Sequence, residues 1–223
     1  MRGEALSAIG AIGTVGRGLA LLVVLLAPAG AAETGGTGYD ALVAQLKGGD
    51  TNIDFATLRQ AYAASPRYEP YGDDAKRLKS ALFDAFAAKD CTRATQTAAQ
   101  ILEANYVNID AHLIADRCYR DMGDAARADF HQAIARGLLG AIAGTGDGQS
   151  PDTAFVVIAV EEEVSFLRAQ GYDVSDHALV NHAGRRFDRV EATETDTGDA
   201  AVVFFDVERP LSWLERHLEQ KKE

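Results

Sequence analysis

IAGTGDGQSPDTAFVVIAV, residues 142–160, is where the sequence changes its period. Upstream of Gly144 the apolar residues recur at spacings of three and four, as in helices that bury one stripe. From Thr153 they run on without interruption through TAFVVIAV, rich in β-branched residues and bounded by turn signals, as in a strand buried on both faces. The chain is therefore read as α+β, with a layer of helical hairpins (39–143) followed by a small strand-helix-strand-strand-helix part (144–223).

The glycine run at this switch, Gly144 to Gly148, invites a phosphate or metal reading. A nucleoside-triphosphate loop needs a lysine and a hydroxyl after its last glycine, where Gln149 and Ser150 stand. A dinucleotide turn leads from strand into helix, so that the helix N-terminus meets the phosphate, and here the order is reversed. Asp147 and Asp152 supply two carboxylates where calcium takes about six to eight oxygens. The run is read as a turn joining the two parts, with Asp147 hydrogen-bonded to its own backbone.

In the helical part, YDALVAQLKGG (39–49) aligns Tyr39, Leu42, Val43 and Leu46 and stops at Gly48-Gly49. IDFATLRQAYAAS (53–65) repeats the pattern and breaks at Ser65-Pro66. PRYEPYGDD (66–74) is an extended bend that presents Tyr68 and Tyr71, rings that either cover the core or contact a ligand. Further on, KDCTRATQTAAQILEANY and GDAARADFHQAIARGLLG align at an offset of 34 residues, placing Asp90 on Asp124, Ala94 on Ala128 and Ile101 on Ala135. With Gly123 at the turn, the intervals are tetratricopeptide-like, although His112 and Asp116 depart from the usual pattern. Antiparallel helices over about 90–105 and 109–122 pair residues whose numbers sum to about 210. Cys91 and Cys118 then face each other, as a disulfide or as two buried thiols.

In the second part, EEEVSFLRAQG (161–171) reads as a helix whose three N-terminal carboxylates suit the positive end of its dipole as a solvated face. RRFDRVEATE (185–194) and AAVVFFDVE (200–208) are strands about the turn TDTGD, and LSWLERHLEQKK closes the chain as an amphipathic helix. None of the five histidines forms a short ligand pair such as HExxH, and no Gly-x-Ser-x-Gly elbow is present. No catalytic residue, metal ligand or cofactor is assigned.

The formal charge of −11 excludes a nucleic-acid face and anionic lipid, and favours a cationic or neutral partner. Arg2 and Arg17 precede LALLVVLLAPAGAA (19–32), an apolar run too short to span a bilayer that closes on Ala29-Gly30-Ala31. Residues 1–31 are read as a signal peptide and 32–38 as a flexible leader, which places the mature chain in the periplasm or outside the cell, with no membrane contact after cleavage.

PRYEPYG, NYVNIDAH, GDGQSPDTAFVVIAVEEE and FFDV, in this order, resemble the bacterial family of the domain of unknown function 4919, over about residues 39–208. In that family an aromatic residue follows the glutamate pair; here Val164 follows Glu162 and Glu163. The resemblance implies a secreted protein with a helical repeat region and supplies no activity. The expected function is a non-catalytic binding or scaffold protein that holds a peptide or protein partner between its helical hairpins, Tyr68 and Tyr71. The alternatives are a cell-envelope hydrolase using Asp147 with Glu162 or Glu163, and a structural protein with no ligand.

Overall fold

The computed structural model describes residues 35–221, and these fall within one compact unit. The expected signal peptide (1–31) lies outside the described residues. No helix among the described residues is long and apolar enough to cross a membrane.

Six helices come first: α1 (Gly35–Lys47), α2 (Phe55–Ala63), α3 (Asp73–Ala87), α4 (Cys91–Ala104), α5 (Ile109–Asp121) and α6 (Ala125–Ala143). Short polar side chains begin most of them. Asp54 accepts from the backbone N–H groups of Ala56 and Thr57, Asp90 from Arg93, Asn108 from Ala111 and Asp124 from Arg127. Each satisfies donors that the first helical turn leaves without partners. α1 starts at Gly35, four residues ahead of the expected start at Tyr39 and inside the expected leader. Once Tyr39 and Leu46 are buried, each further residue adds one hydrogen bond without a new nucleation cost.

The 34-residue offset has a structural counterpart. Lys89 and Gly123, 34 apart, both take positive φ, at 58° and 79°. Asp90 and Asp124 then cap α4 and α6, and Ala94 and Ala128, both 0% exposed, sit one turn later. The same turn, cap and close-packing alanine thus recur in two successive hairpins. α2 and α6 also approach closely: a Cβ at Gly137 would lie 2.2 Å from the Phe55 ring. Cys91 and Cys118 form a disulfide with Cα atoms 5.0 Å apart, which places α4 and α5 in the expected antiparallel register.

The second part contains β1 (Phe155–Val156), α7 (Glu161–Ala169), β2 (Tyr172–His182), β3 (Arg185–Glu194), β4 (Ala200–Asp206) and α8 (Glu208–Gln220). The sheet order is β1-β4-β3-β2, with β1 parallel to β4 and the other pairs antiparallel. Two expectations need correction. TAFVVIAV is not a continuous strand, because only Phe155 and Val156 join the ladder. Beyond them the backbone turns to side chains: Val156 O accepts from Arg59, Ile158 N donates to Glu162, and Ile158 O accepts from Tyr68. β2, eleven residues long, is absent from the sequence reading altogether.

One apolar core runs through both layers and includes Leu58, Ile101 and Leu138 from the helices with Val190 and Phe205 from the sheet. α7 contacts both α5 and β2, and its Phe166 and Leu167 are buried in the same core. The first turn of α7 therefore meets the sheet and the helical layer.

Candidate functional site

The three carboxylates that open α7 do not form a solvated face. Glu162 and Glu163 are 6% and 0% exposed. Their burial follows from the position of α7, whose first turn is covered from both sides.

Glu162 is fully partnered. Arg59 of α2 reaches it with Nε at 3.1 Å and Nη2 at 2.6 Å, and the Ile158 N–H donates to it at 2.8 Å. Arg59 is itself 1% exposed and also donates to Val156 O. This two-point pair is a brace between the layers, since Nε and Nη2 of Arg59 and both oxygens of Glu162 are taken within the protein.

Glu163 is the opposite case. Both of its carboxylate oxygens are buried without a donor from any neutral or cationic group, and the one hydrogen bond open to them is a proton shared with the Asp188 carboxyl. The groups that face it are His177 of β2, with Nδ1 3.5 Å from Oε2, and Asp188 of β3. One ligand-capable atom from each of the three residues lies within 4.8 Å of the others. Burial, then the neighbouring Asp188 carboxylate, pushes the Glu163 carboxyl up to about 9, and burial raises Asp188 as well. Tyr71 borders the cluster; burial first, and the Asp188 and Glu163 carboxylates next, raise its hydroxyl to about 12. Such a group of two carboxyls and an imidazole can hold a proton at neutral pH or coordinate a cation.

The cluster exists because of an irregularity in β2. Val174 pairs with Ala192 and His177 with Val190, with a register shift between Val174 and Asp176. Ala192 and Val190 are two apart and share a face, so Val174 and His177 share it too, despite a spacing of three. The extra residue is a β-bulge, and it turns His177 toward α7. Asp188 pairs with Leu179, which puts it diagonally across from His177 on that face.

The sequence profile described as Domain of unknown function (DUF4919) matches residues 34–216. The chain belongs to this family. No curated protein and no solved structure matches it. The matched segment of this DUF4919 protein contains the whole cluster, its bulge and the Arg59–Glu162 brace.

The remaining residues singled out in the sequence lie apart from the cluster, except Tyr71. Asp147 is exposed and engaged in its own turn, accepting from Thr153 Oγ1 and the Gln149 N–H. The N–H groups of Asp147 and Gly148 both donate to Thr153 O, and a Cβ at Gly146 would lie 2.2 Å from that oxygen. Tyr68 is 7% exposed and stands in a chain of edge-on and tilted rings, Tyr39–Tyr62–Tyr68–Trp213, with its hydroxyl donating to Ile158 O. Tyr71 also lies against Trp213, with ring centroids 6.3 Å apart.

The DUF4919 helical layer also carries a groove. Three clefts of about 160, 230 and 180 Å³ share walls in sequence: Tyr39, Asp40 and Arg67 between the first two, Leu102, Glu103 and Tyr106 between the second and third. The last is floored by small residues, Ala98 and Ala115, and ends on Tyr119 and His131. His131 is oriented by His112, whose Nε2 faces the Tyr106 carbonyl at 3.0 Å and so must donate. Burial lowers His112 to about 3, so its Nδ1 carries no proton and accepts from His131 Nδ1 at 2.9 Å. That leaves His131 Nε2 as an acceptor. A larger cleft of about 710 Å³ lies beside the disulfide; its Arg117 and Asp121 are paired at 3.4 Å, as the groove's Lys47 is with Glu103 at 3.1 Å and its Arg67 with Asp40 at 3.6 Å.

Proposed function

We propose that the protein is exported to the periplasm or beyond and acts there as a non-catalytic binding or scaffold protein for a peptide or protein partner. One observation carries this reading: three adjoining clefts make a continuous groove across α1, α4, α5 and α6. Concave faces of stacked helical hairpins suit extended peptides, and the 34-residue recurrence of turn, cap and alanine supports a tetratricopeptide-like layer. The helical part (39–143) would hold the partner and the α+β part (144–223) would brace it. The charge of −11 favours a basic or neutral peptide. Export is supported by the short apolar run at 19–32 and by a disulfide, which persists in oxidising compartments. Because Tyr68 is buried, the aromatic contact is assigned instead to Tyr119, which is partly exposed at the end of the third cleft.

Ala99 is exposed on the wall of the third cleft. Ala99→Trp should fill the groove without disturbing the core, and weaken binding of labelled basic peptides at least about tenfold while the melting temperature stays put. Fluorescence anisotropy on a panel of lysine- and arginine-containing decamers measures it. Equal affinity for variant and wild type would remove the groove from the account.

A second reading, a cell-envelope hydrolase, is favoured by the facing Glu163 and Asp188 carboxyls, both of which burial raises above the ordinary carboxylate range. Its carboxylates would be Glu163 and Asp188 rather than Asp147, which is engaged in its turn.

A further inference from the structure

We propose that Glu163, His177 and Asp188 bind one divalent transition-metal ion. The inference goes beyond the peptide-holding reading and does not depend on it.

The first support is the state of Glu163. A carboxyl at 0% exposure whose only hydrogen-bonding neighbour is another carboxyl is rare in folded proteins, where buried polar atoms nearly all have partners. The guanidinium that serves the preceding residue offers no relief, because Arg59 is bound bidentately by Glu162. Among the described residues Glu163 has no ion-pair partner except His177, and Asp188 has none. Two carboxylates facing each other with no lysine or arginine match the charge of a dication.

The second support is geometry. One atom from each residue lies within 4.8 Å of the others. Ligands of a four-coordinate ion at about 2.1 Å stand roughly 3.4 Å apart, so closure requires movements of about 1 Å. His177 can supply them, since its side chain is 36% exposed and turns more freely than the two carboxylates. The same exposure gives an entry path and room for a water to complete the shell. The third support is the bulge at residues 174–176, which alone brings His177 onto this face. An irregularity that re-aims a side chain into a cluster is a feature of functional strands.

The donor set narrows the ion. Calcium and magnesium prefer all-oxygen shells of six or more, whereas one imidazole nitrogen with two carboxylates suits zinc, manganese or ferrous iron.

The test is calorimetric titration of zinc and, separately, manganese into the chelator-stripped full mature chain, with melting curves alongside. One saturating equivalent of at least one ion should bind with Kd near or below about 1 μM and raise the melting temperature. His177→Ala and Asp188→Asn should each weaken that binding by about thirtyfold or more and abolish the thermal shift. The exposed position of His177 makes its variant the one expected to fold unchanged. Three results would overturn the proposal. One is the absence of saturable binding of either ion below about 100 μM. Another is a His177→Ala protein that titrates like the wild type, which would place the ion on other surface carboxylates. The third is a Glu163→Gln protein that melts above the wild type in chelator while the wild type ignores both metals, which would assign Glu163 a proton instead.

Discussion

Arg59→Met should lower folding stability by about 3–5 kcal/mol, the largest loss expected of any single change in this protein. The side chain is 1% exposed, and its guanidinium holds both oxygens of a Glu162 that is itself 6% exposed. Methionine fills much of the same volume but leaves the carboxylate buried with only the Ile158 N–H for company. The Val156 carbonyl loses its side-chain donor as well. The penalty is that of an unpaired buried charge rather than of a lost attraction, and this distinction can be measured. Arg59→Met combined with Glu162→Leu removes both charges and should recover much of the loss, because an apolar pair of similar size is often no worse than a buried ion pair. Urea unfolding reads both, as a shift in midpoint at constant slope. A loss under about 1 kcal/mol for Arg59→Met would mean that water reaches Glu162 and that the layers are not braced there.

Replacing both Cys91 and Cys118 with alanine should cost about 3.5 kcal/mol. The bond closes a loop with a sequence separation of 27, and in the chain-entropy account its main effect is to restrict the unfolded chain. In a domain of this size the melting temperature should fall by roughly 10 °C. Reduction should have the same effect, and Cys91, which is partly exposed beside an open cleft, gives the reductant access. The loss adds to that of Arg59→Met, since the bond joins α4 to α5 and the ion pair joins α2 to α7. If the oxidised and reduced proteins melted together, the two sulfurs would be unbonded neighbours and the hairpin would rest on packing alone.

What could be read from the sequence was what depends on near neighbours. The alignment of Asp90 on Asp124, the recurrence at 34 residues and the facing of Cys91 and Cys118 all follow from helical period and short loops. α3 was equally legible in principle, because Leu78, Leu82, Phe83 and Phe86 form a stripe that the sequence reading passed over. The site was hidden for two physical reasons. A run of glutamates at a helix start looks solvated unless its distant partner is known, and Arg59 stands 103 residues before Glu162. β2 lacks strict alternation because its bulge puts Val174 and His177 on one face at a spacing of three, so neither the strand nor the third member of the cluster shows in the period. The continuous apolar run at 153–160 misled for a related reason. Ala154, Val157 and Ile158 are buried, but Arg59 takes the Val156 carbonyl, and after a last bond from Val157 N–H to Asp206 of β4 the backbone is bound at Ile158 by Glu162 and Tyr68 rather than by a neighbouring strand.

The central functional claim is that the partner lies in the helical groove and not at the Tyr68–Tyr71 bend. Hydrogen exchange followed by mass spectrometry, with and without a basic peptide that binds the wild type, locates the contact directly. The account predicts slowed exchange in α4 near Ala98 to Leu102, in the α4–α5 turn at Tyr106, and around Tyr119 and His131, with residues 68–74 and 161–190 unchanged. Protection confined to residues 68–74 or to the Glu163 cluster, with the groove exchanging as before, would contradict it.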